Sequence, residues 1–294
     1  MQYFDISVNS LKATMITVVQ LHVYPVKSMQ GISLDTAELT VRGLKYDRNW
    51  MVVEENGTFL TQRRLPRMAS IRVSISDDYL KFTNSSGDSI EISLHNKTQK
   101  EVSVNVWADY CEALDEGDEI SEWLTTELNY PEEKPIRLVR FKETFRRETD
   151  QRYLKGEDST TAFADGFPFL VASVDSLQEL NDRLMSTGAS AVDMNRFRPN
   201  IVIKGMQPFY ENNIDYLASS AGNYKLGIRK PCKRCKVTTV DQTSGIIAEP
   251  REPLRTLAHM KTARGLNGAY FGQNSTLVFG KGNFIKVDDT LVAG

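Results

Sequence analysis

Lys230-Pro-Cys-Lys-Arg-Cys-Lys-Val-Thr-Thr-Val-Asp-Gln-Thr-Ser-Gly245 is the stretch from which the rest of the chain is read. It holds Cys232 and Cys235, two of the protein's three cysteines, and between Lys225 and Lys236 there are six basic residues and no acidic one. Cations around a thiol favour its use as a nucleophile or as a soft-metal ligand. After Cys235 the run Val237-Thr-Thr-Val240 is β-prone, and Asp241 to Gly245 supplies turn chemistry. The expectation is a basic loop that enters a strand at Cys235, a rigid place from which to present one sulfur.

Cys-x-x-Cys alone admits several readings. Structural zinc needs about four ligands, and the remaining candidates, Cys111, His22, His95 and His259, are not at paired spacing. A thioredoxin-like dithiol calls for a helix after the motif, where this sequence is β-prone. Two small residues in a basic surface loop is the bland alternative.

The bulk composition narrows the class. With 294 residues, 40% hydrophobic and 25% charged, the chain can form one large or two modest globular domains. A net charge of −2 leaves no global field for nucleic acid, so the local basic character suits a small anion better. The basic stretch also lacks interleaved aromatics, which argues against nucleic-acid binding. Three cysteines make no disulfide framework, which points to a reducing compartment. There is no apolar run near the roughly 20 residues that span a bilayer, and no secretory signal pattern at the N-terminus. The expected location is cytoplasmic, with no membrane partner.

Along the chain, residues 1–14 show no period and read as an extension, with Met15 a plausible start. Val19, Leu21 and Val23 alternate with Gln20, His22 and Tyr24 in a first strand that Pro25 ends. Strands follow at 34–41 and 50–54, and Asn56-Gly57 marks a hairpin. Residues 71–106 read as short strands carrying no chemistry, with His95 a turn residue and Cys111 structural. Ile120, Leu124 and Leu128 give an amphipathic helix over 118–128. A strand over 136–141 closes a first domain, and 142–165 reads as a solvated linker or a flap over the site. Then come a strand at 167–172, a helix opened by a Ser176-Leu-Gln-Glu179 capping box, strands at 200–203, 276–279 and 284–287, and a short helix over 253–262. Strands this short and this numerous argue for antiparallel, barrel-like sheets with flanking helices, a mainly β, α+β chain.

A cation or hydrogen-bond donor recurs at strand ends: Lys27, Ser28, Arg48, Arg198, Asn200 and Arg234. Converged, these would grip a phosphate or another polyanion beside Cys235. There is no Walker or Gly-x-Gly-x-x-Gly loop for a nucleotide, and three scattered histidines suggest no Ser-His-Asp set.

Four segments in order carry a resemblance: Tyr24-Pro-Val-Lys-Ser28, Gly43-Leu-Lys-Tyr-Asp-Arg-Asn-Trp50, Arg196-Phe-Arg-Pro-Asn-Ile-Val-Ile203 and the cysteine stretch. From about Met15 onward the chain resembles the MOSC family, named for the C-terminal domain of molybdenum cofactor sulfurases. Within it the likeness is to the YcbX-type bacterial proteins and the mitochondrial amidoxime-reducing components. The resemblance implies an N-terminal β-rich domain over 15–141, the linker or flap over 142–165, and a MOSC β-barrel over 166–294, with molybdenum cofactor at their junction. It makes Cys235 the molybdenum ligand. Lys27, Ser28 and Arg48 would anchor the terminal phosphate, while Arg198, Asn200 and Arg234 would contact pterin and phosphate.

The implied activity is molybdenum-dependent reduction of N-hydroxylated compounds (amidoximes, hydroxylamines, N-hydroxylated bases). The implied alternative is a non-redox cofactor or sulfur carrier with Cys235 as a persulfide site. Two departures stand out. Gly166 and Phe167 follow Asp165 where family members often place small hydroxyl residues, which weakens Asp165 as a cofactor-binding candidate and leaves backbone N–H groups for any contact. Lys233 stands where serine is more usual. There is no cysteine run for a plant-type [2Fe–2S] domain, so either electrons are expected from a separate donor protein of flavin-reductase or ferredoxin type, or the sequence is a piece of a longer chain.

Overall fold

Seven strands close into a barrel, and the first of them comes from the start of the chain. The computed structural model describes residues 15–96 and 100–294; the expected extension, residues 1–14, lies outside them. Around the barrel the strands run Ile201–Lys204, Phe169–Ser173, Tyr270–Phe279, Lys225–Lys233, Tyr216–Ser219, Thr290–Ala293 and Ile16–Val23, which pairs back with Ile201–Lys204. Closure removes exposed strand edges and sets the inward side chains of alternating positions into one core. That core includes Val18, Leu21, Phe169, Val171, Ile201 and Leu226. Ile16–Val23, placed by sequence order in the N-terminal unit, is thus a stave of the C-terminal barrel.

A register shift between Val18 and Gln20 alters the expected alternation of this strand. Such a bulge moves every later side chain to the other face. Val18 therefore points into the barrel with Leu21, and Val19 packs outside against the cluster of Leu180, Leu184 and Phe197.

The helices sit at the side, as the pattern of strands requires. Helix α1, Asp118–Glu127, buries Ile120 and Leu124 on the face the spacing predicts. Helix α2, Val174–Ser186, joins the parallel strands Phe169–Ser173 and Ile201–Lys204. Its cap is Ser173, whose hydroxyl accepts from the Asp175 N–H, and not the Ser176–Glu179 box. Ser176 lies in the first turn, facing inward, and donates to the buried Glu211 carboxylate at 2.8 and 2.9 Å. A short helix, α3, spans Leu254–Met260.

The N-terminal unit holds a four-stranded sheet (Trp50–Val53, Arg137–Phe141, Asp109–Asp115, Glu101–Val106) and a three-stranded meander (Arg72–Ile75, Tyr79–Thr83, Ser89–Ser93). Phe284–Lys286, from near the C-terminus, pairs with Thr36–Thr40 and binds this unit to the barrel. The 142–165 segment is strapped to both. The buried Arg147 guanidinium donates to the carbonyls of Ala162 and Ala164 and to Asp109, while Glu157 and Thr276 hydrogen-bond at 2.7 Å beside a buried Glu157–Arg229 ion pair.

The cysteine stretch differs most from expectation. Lys225–Lys233 is a barrel strand in which Lys225, Arg229, Lys230 and Lys233 flank the buried Leu226, Gly227 and Ile228, so its charge pattern concealed it. Val237–Val240 is not a strand: Lys236–Thr239 forms a 3-10 turn, with Cys235 as its first flanking residue. Cys235 stands where a strand ends, the reverse of the expected order.

Candidate functional site

All eight positions singled out in the sequence line one cleft: Lys27, Ser28, Arg48, Asp165, Arg198, Asn200, Arg234 and Cys235. The cleft lies where the barrel's end meets the N-terminal unit. After the first barrel strand, Pro25 and Val26 run beside Trp50, with the Lys27 N–H donating to the Trp50 carbonyl at 2.8 Å and the Arg48 N–H to the Tyr24 carbonyl at 2.8 Å. These bonds bring the Tyr24–Ser28 and Asp47–Trp50 segments side by side.

Three of the eight have left-handed backbones: Ser28 at φ 68°, Arg48 at φ 49° and Arg198 at φ 54°. Non-glycine residues rarely adopt this region, and the cost is tolerated where surrounding bonds over-determine the chain. Here they do. The Arg198 N–H donates to Asn195, and the Ser28 carbonyl accepts from Gln62 at 2.8 Å.

Tyr24 is the residue that organises the cations. Its buried ring lies 4.3 Å from the guanidinium carbons of both Arg48 and Arg198, and its hydroxyl donates to the Pro199 carbonyl at 3.2 Å. Burial, against the pull of the arginines, pushes its phenol up to about 12, so it stays neutral and offers π density to both. A Cβ at position 31 would stand 2.4 Å from this ring, so glycine is required there. Asp47 completes the pair: it accepts from the Tyr24 N–H at 2.9 Å and from Arg48 at 2.5 Å.

Arg198 is buried and donates through Nη1 to Met29 and to Gln242, at 2.7 and 2.9 Å, yet its Nη2 has no partner among the described residues. Burial lowers its pKa to about 10, which still leaves it charged at neutral pH. Arg234 donates to the Phe197 carbonyl at 2.7 Å and to the Cys232 sulfur at 2.9 Å, and its buried Nε is likewise unpartnered. An unpaired buried donor costs about 1–3 kcal/mol, more when charged. Two in one cleft describe a place built for acceptors that the chain itself does not supply.

Lys27, Asp165 and Asn200 have partners in the fold. Lys27 donates to the Phe163 carbonyl at 2.8 Å and to Asp165 at 2.6 Å. Burial lowers the Lys27 pKa and the Asp165 charge opposes this. Crowding at Asp165 would raise its pKa, but the Lys27 charge and hydrogen bond hold that carboxyl well below the usual range. Asp165, whose side chain is 73% exposed, therefore enters the cleft through its carboxylate, and not only through the backbone expected of that segment. The Asn200 amide bridges the barrel strands, accepting from the Leu170 N–H at 3.1 Å and donating to the His22 carbonyl at 3.2 Å. Cys235 is exposed, and its sulfur has no hydrogen bond among the described residues. No group of three or more metal-ligating side chains occurs among the described residues, so a metal held here would take most of its ligands from elsewhere.

Trp107, Arg63 and Phe167 also line the cleft, and no site role was read for them in the sequence. Trp107 lies in a hairpin turn just past the 71–106 stretch of short strands, between Glu101–Val106 and Asp109–Asp115. Its signal would have been an indole at a turn position where glycine or asparagine is usual.

Comparison with known proteins adds a second line. Residues 15–131 match the MOSC N-terminal beta barrel domain and residues 158–292 match the MOSC domain. Mitochondrial amidoxime-reducing component 1 of Danio rerio is 31% identical over 246 residues, covering 82% of this chain and 73% of that one. The Homo sapiens protein of the same name is 33% identical over 248 residues, covering 82% and 71%. Molybdenum cofactor sulfurase of Danio rerio is 31% identical over 276 residues, covering 88% of this chain and 32% of its own length.

Proposed function

The chain belongs to the MOSC family, and from that premise we propose that it is a molybdenum-cofactor-dependent reductase of N-hydroxylated compounds. The observation that carries the proposal is the pair of buried, unpartnered guanidinium donors, Arg198 Nη2 and Arg234 Nε, in a cleft that also presents an exposed thiol. A pterin bearing a phosphate and a soft metal asks for that combination of anion grip and thiolate.

In this reading Arg198, Arg234 and Arg48 hold the phosphate and pterin, with Tyr24 keeping Arg48 and Arg198 in place. Lys27 and Ser28 close the phosphate side, and Asn200 fixes the strands from which Arg198 projects. Cys235 is the protein's ligand to the metal. When bound, the cofactor supplies two-electron removal of the oxygen atom from the N-hydroxyl group. The chain's part is to hold and orient it, and to leave the exposed Asp165 carboxylate at the rim, able to orient a polar substrate. The electrons come from a separate protein of flavin-reductase or ferredoxin type. A cytoplasmic location accords with three free cysteines, and among the described residues no helix is long and apolar enough to cross a membrane.

Turnover of benzamidoxime to benzamidine with a chemically reduced viologen tests the activity. The parent should turn over and Cys235→Ser should not. A carrier of sulfur on Cys235 predicts the opposite pair, cyanide-releasable sulfur on the parent and no turnover.

A further inference from the structure

The cleft has a second character on the side of the N-terminal unit, where the aromatic surface faces solvent. Trp107 is half exposed and holds a left-handed backbone at φ 59°, unusual for so bulky a residue. The ring is fixed from two sides: its Nε1 donates to Asp165 Oδ1 at 3.2 Å, and Phe59 meets it edge-on with centroids 5.1 Å apart. The Arg63 guanidinium lies over it, 4.4 Å from the centroid, and no carboxylate pairs with Arg63 among the described residues. Asp165 Oδ1 already receives Lys27 and Trp107, whereas Oδ2 accepts no hydrogen bond among the described residues.

A guanidinium is a flat carbon bonded to nitrogens, with in-plane N–H donors and two π faces. An amidoxime or an N-hydroxyguanidine has the same planar N–C–N core. We propose that the Trp107 face and the Asp165 carboxylate form a subsite for that core, and that Arg63 is a tethered stand-in which substrate displaces. The core would stack on the indole while its amino group donates to Asp165. This rests on the reductase reading for the reaction, but adds what that reading lacks: a preference for planar, nitrogen-rich substrates over aliphatic hydroxylamines. The arrangement makes displacement easy, because an exposed cation–π contact without a carboxylate partner is weak.

Binding without turnover tests it. Benzamidoxime is titrated by calorimetry into the purified protein with no electron donor, and the molybdenum content of the same samples is measured. Trp107→Leu should weaken binding about tenfold and Trp107→Phe should recover part of it. Arg63→Ala, at an exposed position, should tighten binding about threefold by removing the competitor. N-cyclohexylhydroxylamine, which has no N–C–N plane, should bind the parent and Trp107→Leu alike. Equal benzamidoxime affinity in parent and Trp107→Leu, weaker binding in Arg63→Ala, or no binding to the parent would overturn the subsite. Should the molybdenum reading alone be wrong, the samples hold no metal while the ordering of affinities persists.

Discussion

At the scale of single residues, Tyr24 shows how an uncharged side chain can set the geometry of charged ones. Both guanidiniums rest 4.3 Å from its ring, so truncation should free them even though each keeps other bonds. Tyr24→Leu is expected to lower affinity for inorganic phosphate about tenfold, measured by calorimetry, whereas Tyr24→Phe should stay near the parent. Glu211 offers a pH test away from the cleft. Burial lifts its carboxyl above the ordinary value, and among the described residues no cation pairs with it. A carboxyl whose folded pKa is raised stabilises the fold fully below its unfolded value, about 4.3, and that contribution is lost as pH rises through the folded one. Melting temperature should therefore fall as pH rises from the unfolded value through the folded one, and Glu211→Gln, which can still accept from Ser176, should flatten the slope. Cys111 makes a third case: burial pushes its thiol up to about 11. Iodoacetamide should label Cys235 and Cys232 in the native protein and leave Cys111 untouched, read by peptide mass spectrometry.

At the scale of elements, the legible parts were those whose period matched their burial. The helix over Asp118–Glu127 and the strands over Arg137–Phe141 and Ile201–Lys204 needed only apolar spacing to be found. The cap of α2 was missed because two serines, Ser173 and Ser176, lie three residues apart; the one followed by a glutamate looked the better cap, yet its hydroxyl serves Glu211 instead. Ser173→Ala should therefore cost about 1 kcal/mol in denaturant unfolding, and Glu179→Ala almost nothing. Lys225–Lys233 was hidden for a different reason. Lys225, Arg229, Lys230 and Lys233 crowd the two ends of its short buried run, so the strand reads as a basic loop. The site positions were legible as donors at strand ends, but Trp107 and Arg63 were not, since their meeting depends on a hairpin turn folding against a distant loop.

At the scale of the whole molecule, the barrel cannot close without Ile16–Val23, which lies far in sequence from the strands on either side of it. Sequence order places that strand with the N-terminal unit while its pairing joins it to the barrel, because nothing local tells a stave from an edge strand. Leu21→Ala should cost about 2–5 kcal/mol and should loosen the barrel and the cleft together. The cleft itself draws on both units, Lys27 to Arg48 from one side and Arg198 to Cys235 from the other, so cofactor retention should report on their docking. The most direct measurement is molybdenum per chain, by mass spectrometry, in protein expressed in a host that makes the cofactor, for the parent and for Cys235→Ser. The account predicts close to one molybdenum in the parent and little in the variant. A metal-free parent, or a variant that keeps its molybdenum and its activity, would contradict it.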